Sequence, residues 1–151
     1  MSTNIAVLKM LCDAAIAAPE FQPKNGVTHC NQAVQRIALG YGYTGFESGM
    51  LANAMIAFVG GSTDWSDVYD MREASILAQE GNLVIACMPE TGHGHVAILY
   101  PSPAQFSPSC KCEVPMIANV GKTNGIVRQS QAFPVALFPK VPVYFVLKEK
   151  V

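Results

Sequence analysis

The hydrophobic period of the chain changes once, near Gly81, and that change restricts the fold more than any other feature. Before it, apolar residues recur at helical spacing. Ile5, Leu8, Cys12 and Ile16 mark a first helix over 3–17, with Ser2, Thr3 or Asn4 as cap and Pro19 as its stop. A polar loop containing Pro23 and Gly26 leads to a second pattern, Ala33, Val34, Ile37, Ala38 and Tyr41, with Cys30 at the N-terminal end of the buried stripe. Met50, Leu51, Ala54, Met55 and Phe58 predict a third short helix over 48–58, closed by Gly60-Gly61. A fourth is expected to be capped by Ser66 or Asp67 and to stop before Gly81. Beyond Gly81 come short apolar strand runs over 82–88, 95–100, 114–120 and 141–147. Residues 122–140 read as irregular, with short pieces near 126–128 and 136–137. Helices first and strands second predict an α+β domain, with the N-terminal helices packed on one face of a mainly antiparallel sheet.

The 151 residues form one domain by this reading, because a single core serves a chain of this length. Half of the residues are hydrophobic and 14% are charged, which supports a folded core. Ten Lys and Arg stand against eleven Asp and Glu, so the clustered basic charge that binds phosphate backbones is missing and nucleic acid is not expected as a partner. Mean hydropathy is +0.25. Even so, no uncharged apolar run approaches the roughly 18 residues of a membrane span. Lys9 and Asp13 interrupt the N-terminal apolar run and no basic region precedes it, unlike a secretory signal peptide. The expectation is a protein that is cytoplasmic or released by a non-Sec route.

Five cysteines leave at least one thiol unpaired in the monomer. Cys30 is the candidate nucleophile, since a thiol at a helix start sees the positive end of the macrodipole, which favours the thiolate. Cys12 falls mid-helix on an apolar stripe and Cys87 in an apolar strand, where burial makes thiols inert. A nucleophilic cysteine needs a base, and the base an orienting group. His29 adjoins Cys30 and would point away from it on the opening helical turn. His93 and His95 share a strand face, and His95, deeper in the regular strand, is the preferred base. Asn119, near the end of the next strand, suits the orienting amide, with Asn124 as second choice.

These residues resemble a family. Thr28-His-Cys-Asn-Gln-Ala-Val34, Gly94-His-Val-Ala-Ile-Leu-Tyr-Pro101 and Pro115-Met-Ile-Ala-Asn-Val-Gly121 are similar to the NlpC/P60 superfamily of papain-like cysteine peptidases, especially its CHAP-type amidase branch. The resemblance spans roughly residues 20–147. His29 and Asn31 depart from the Asp and Ser that flank the nucleophile in many members. The resemblance implies a papain-like architecture and amide hydrolysis by Cys30, His95 and Asn119, without a metal or other cofactor. It further implies an oxyanion site at the Cys30 N–H aided by Gln22 or Asn25; His93, nearer the start of its strand and flanked by glycines, is expected to bear on substrate binding. Cell-wall peptide, meaning peptidoglycan stems or cross-bridges, is the implied substrate. The family also includes transferases acting on lipids, and the residues identify no inhibitor or immunity protein. Two readings of other classes stand beside it. One is a zinc-binding structural or interaction module built from His93, His95, Cys110 and Cys112, for which the single residue between the two cysteines is an unusual spacing. The other is a catalytically inactive binding domain of the same fold.

Overall fold

A computed structural model describes residues 2–90, 92, 94–133 and 142–149. Its elements are α1 (Ser2–Ala17), a 3-10 turn (Pro19–Phe21), α2 (Cys30–Tyr41), α3 (Ala52–Gly61), β1 (Trp65–Val68), α4 (Met71–Gln79), β2 (Val84–Met88), β3 (His95–Leu99), β4 (Gln105–Ser107), β5 (Cys112–Val114), β6 (Met116–Asn119), β7 (Gly125–Arg128), α5 (Gln129–Ala132) and β8 (Val143–Leu147). Among the described residues the main sheet has six strands in the order β1-β8-β2-β3-β6-β7, with antiparallel neighbours throughout. β4 and β5 form a separate hairpin. The architecture is α+β, with no described helix long and apolar enough to cross a membrane.

Strand alternation sends successive side chains to two cores. Ile85 and Cys87 of β2, Val96 and Ile98 of β3 and Ala118 of β6 pack with Leu8, Cys12, Val34, Ile37, Met55 and Val59 from α1, α2 and α3. On the reverse face Ala86, Met88, Ala97, Leu99 and Ile117 pack with Ala74 and Ala78 of α4 and with Ala132 and Phe133. Helices therefore cover both faces, not one. β2 and β3 are buried along their whole length, which is why they read as unbroken apolar runs.

Several boundaries differ from the sequence expectation for local reasons. Trp65-Ser-Asp-Val68 is an edge strand paired with β8, not the start of a helix. The helix begins at Met71, capped by Asp70, whose carboxylate accepts from the Arg72 N–H at 3.2 Å. Residues 48–51 stay outside α3, which instead runs through both glycines at its end. Pro115 splits the expected third strand into β5 and β6, since proline cannot donate to a ladder. Between Tyr100 and Val114, where the sequence shows no strand run, the chain forms the β4–β5 hairpin. The piece near 126–128 is β7, and the one near 136–137 lies outside the described residues.

Burial of ionisable groups makes the fold sensitive to alkali. Burial, and then the charge of Asp13, push the Cys12 thiol from its usual 9.0 up to about 12. Burial likewise raises Cys87 and Tyr144. Such groups stay protonated in the folded protein but ionise in the unfolded chain, so their contribution is intact below the unfolded pKa and declines above it. Urea midpoints are expected to hold up to about pH 8.5 and then fall steadily toward pH 11. Midpoints that stay flat across that window would contradict the assignment.

Candidate active site

α2 begins at the loop 22–29, and its first residue is Cys30. The helix ends at Gly42, which takes the left-handed φ of 112° that a C-terminal cap requires. α2 packs against β3 and carries Cys30 to the start of that strand, with 7% of the cysteine exposed. The N–H of Val96, one peptide bond from His95, favours the Cys30 thiolate, as do the N–H groups of Asn31 and of Cys30 itself. Burial outweighs all three and raises the thiol above 9.0. The lowered value expected from the helix start is thus reversed, because removing the sulfur from water costs the anion more than the exposed N–H groups return.

His95 opens β3 and is 9% exposed. Its Nε2 lies 2.8 Å from Oδ1 of Asn119, the last residue of β6, also buried. Asn119 Nδ2 donates to the Thr123 carbonyl at 2.7 Å. That bond fixes which way the amide faces, so Oδ1 must accept, and Nε2 of the imidazole carries the proton. The imidazole is bounded by the Phe133 ring at a centroid distance of 4.9 Å and by the backbone of Gly121, where an added Cβ would lie 3.3 Å from Cε1.

The other expected site residues have different roles. Asn124 does not orient the imidazole: its Oδ1 accepts from the Gly121 N–H at 3.0 Å and its Nδ2 donates to the Phe21 carbonyl at 2.8 Å. It joins the turn after β6 to the 3-10 turn ahead of α2. Gln22 directs its amide back to the end of α1, donating to the carbonyls of Ile16 and Ala18, and is therefore not an oxyanion donor in this arrangement. Asn25 is exposed at the tip of a tight turn with Gly26, closed by reciprocal Lys24 and Val27 backbone bonds. Its φ of 54° is one that asparagine tolerates better than most residues. His29 turns to Gln32, at 2.6 Å, and stacks on Phe21. His93 lies outside the described residues. Cys110 and Cys112 are joined in a disulfide, so each is spent on the other. Among the described residues no group of three or more His, Cys, Asp or Glu is gathered to hold a metal ion.

Two positioning residues escaped the sequence reading. Asn31 donates to the Met50 carbonyl at 2.9 Å and so ties the start of α2 to the chain entering α3. Asn53 makes a two-way amide pair with Glu90, donating to its carbonyl at 2.7 Å and accepting from its N–H at 3.3 Å. An asparagine within the apolar run of α3 was the available signal, since a part-buried amide needs partners. Gly94 sits beneath this clamp: a Cβ there would press on Asn53 Oδ1 and lie 2.7 Å from the Met88 carbonyl oxygen. Gly94→Ala is expected to destabilise the fold by about 1–3 kcal/mol through overpacking and to displace the entry to β3. Urea melts and a kinetic assay of the same variant check both; an unaltered melt and unaltered turnover would show that the clamp has slack.

A cavity of about 600 Å³ lined by Tyr41, Asp64, Glu80, Gly81 and Leu147 lies at the other end of β2 from His95. It shares no residue with the site. No protein-family model matches this chain, and no curated protein matches it either.

Proposed function

We propose that the protein is a cysteine hydrolase that cleaves an amide bond in cell-wall peptide, with Cys30 as nucleophile, His95 as base and Asn119 as the orienting amide. One observation carries the reading: a buried cysteine at the start of α2 accepts from the N–H next to His95, whose Nε2 is held by the Asn119 amide oxygen. A histidine kept merely for packing needs no such fixed tautomer. The finer architecture assigned here is papain-like, of the NlpC/P60 type, with α2 as the nucleophile helix, β3 supplying the base and β6 the amide. Peptidoglycan stems or cross-bridges as substrate rest on the resemblance of the segments around Cys30, His95 and Asn119.

In this mechanism Cys30 rests as a thiol and gives its proton to His95 Nδ1 as Sγ attacks the carbonyl carbon. The Cys30 N–H stabilises the oxyanion, and Asn119 Oδ1 holds the imidazolium that forms. His95 then protonates the departing amine, leaving a thioester on Sγ. Water, activated by the same imidazole, hydrolyses the thioester and restores the thiol. The direct test is incubation with a soluble peptidoglycan digest followed by mass analysis. Fragments with new amine and carboxyl ends are expected, and an unaltered digest would remove this substrate class.

A resting thiol has its own signature. Because the Cys30 pKa is raised, iodoacetamide labelling at Cys30 is expected to climb steadily from pH 7 and to be still rising at pH 9, in proportion to the thiolate fraction. Peptide-level mass mapping reads it. A labelling rate already at its plateau near pH 6 would instead mean a preformed thiolate–imidazolium pair.

A further inference from the structure

The β4–β5 hairpin ends in a ring that the proposed hydrolysis does not use: Cys110 and Cys112 are bridged across the single residue Lys111. A disulfide stabilises a fold mainly by constraining the open chain, and closing so short a loop removes little chain entropy. The hairpin has other supports. Gln105, Phe106 and Ser107 pair with Val114, Glu113 and Cys112. Ser107 Oγ lies 2.6 Å from Ser130 Oγ, and Arg128 donates to the Phe106 carbonyl at 3.2 Å. Lys111 takes a φ of 55°, a left-handed conformation that costs a non-glycine residue energy, and its N–H donates to the Ser107 carbonyl at 2.8 Å.

The bridge is also accessible and its reduced form is accommodated. Cys110 and Lys111 are exposed and Cys112 is half-buried. Cys110 Sγ lies 3.8 Å from the Ser107 carbonyl and 3.6 Å from that of Cys112, so a thiol there has acceptors at hand. A bridge that adds little stability, lies open to solvent and has a supported reduced state has the properties of an exchangeable pair.

We propose that Cys110-Lys111-Cys112 is a reversible dithiol/disulfide site that exchanges with low-molecular-weight thiols of the glutathione class. A glutathione thiolate attacks Cys110 Sγ, the Cys110–Cys112 bond breaks, and Cys112 leaves as a thiolate that takes up a proton. A second glutathione thiolate attacks the mixed disulfide, releasing oxidised glutathione and the Cys110 thiolate, which is also protonated. Two glutathione thiols are oxidised, and the protein disulfide gains two electrons and two protons. The site does not depend on the hydrolase reading, since Cys30 takes no part.

The test equilibrates the purified protein in buffers spanning a wide range of reduced to oxidised glutathione, from both the oxidised and the reduced side. Accessible thiols are then trapped with N-ethylmaleimide and mapped by mass. The doubly labelled Cys110–Cys112 peptide is expected to rise from under a tenth to over nine tenths of the total, along one curve from both sides, with Cys12 and Cys87 unlabelled. A bridge that stays closed at the highest reduced glutathione overturns the proposal. So does one that opens only together with labelling of Cys12 and Cys87, or that does not close again. Cys112→Ser supplies an independent arm: Cys110 should accumulate as its glutathione mixed disulfide, and a Cys110 left unmodified by oxidised glutathione also overturns the proposal.

Discussion

Cys30→Ala and His95→Ala are each expected to lower amide cleavage by at least about 10⁴-fold, and the double variant to be little worse than either alone. The reason is that in the proposed mechanism the two side chains act in one step. Without Sγ nothing attacks the carbonyl, and without the imidazole the buried thiol, whose pKa is already raised, has no acceptor for its proton. Initial rates on a muropeptide digest measure the effect, with circular dichroism confirming that each variant is folded. Losses that multiply in the double variant would mean that the residues work independently, which the mechanism does not allow.

The second large effect belongs to Asn119. Asn119→Ala removes the acceptor that keeps the proton on Nε2 of His95, so that tautomer is no longer enforced from this side. A loss of about 10- to 1,000-fold in kcat is expected, with KM little altered, because the amide orients the base without joining the bond changes. Thr123 lends only its carbonyl to this arrangement, so Thr123→Ala should leave the rate close to wild type. A large change in KM alone would move Asn119 from orienting the base to contacting substrate.

The parts of the fold visible in the sequence are those whose signal is local. α2 was legible because its apolar stripe and its cysteine start lie together within twelve residues. β2 and β3 were legible as apolar runs because both faces are covered. β1 was not: its four residues carry a polar centre that suits a cap as well as a strand, and its partner β8 lies far along the chain. The β4–β5 hairpin was hidden by the prolines and serines around it, which also describe a loop.

The site divides along the same line. Cys30, His95 and Asn119 could be named because their side chains are of the types the proposed chemistry requires, and the fold brings His95 and Asn119 within 2.8 Å. What fixes them is largely backbone: the Thr123 carbonyl, the Val96 N–H and the peptide of Glu90 held by Asn53. Backbone groups are the same at every position and leave no mark in a sequence. Gln22 shows the converse. Its residue type suits an oxyanion donor, but the unsatisfied carbonyls at the end of α1 claim its amide.

The central claim is that the acyl group passes through Cys30. Mixing the protein with a muropeptide digest, quenching in acid within the first turnover and mapping the chain by mass tests it most directly. The account predicts a thioester-linked acyl group on the peptide containing Cys30, with a matching free amine in solution. Amine release with the acyl group on any other residue, or at a rate that Cys30→Ala leaves unaltered, would contradict it.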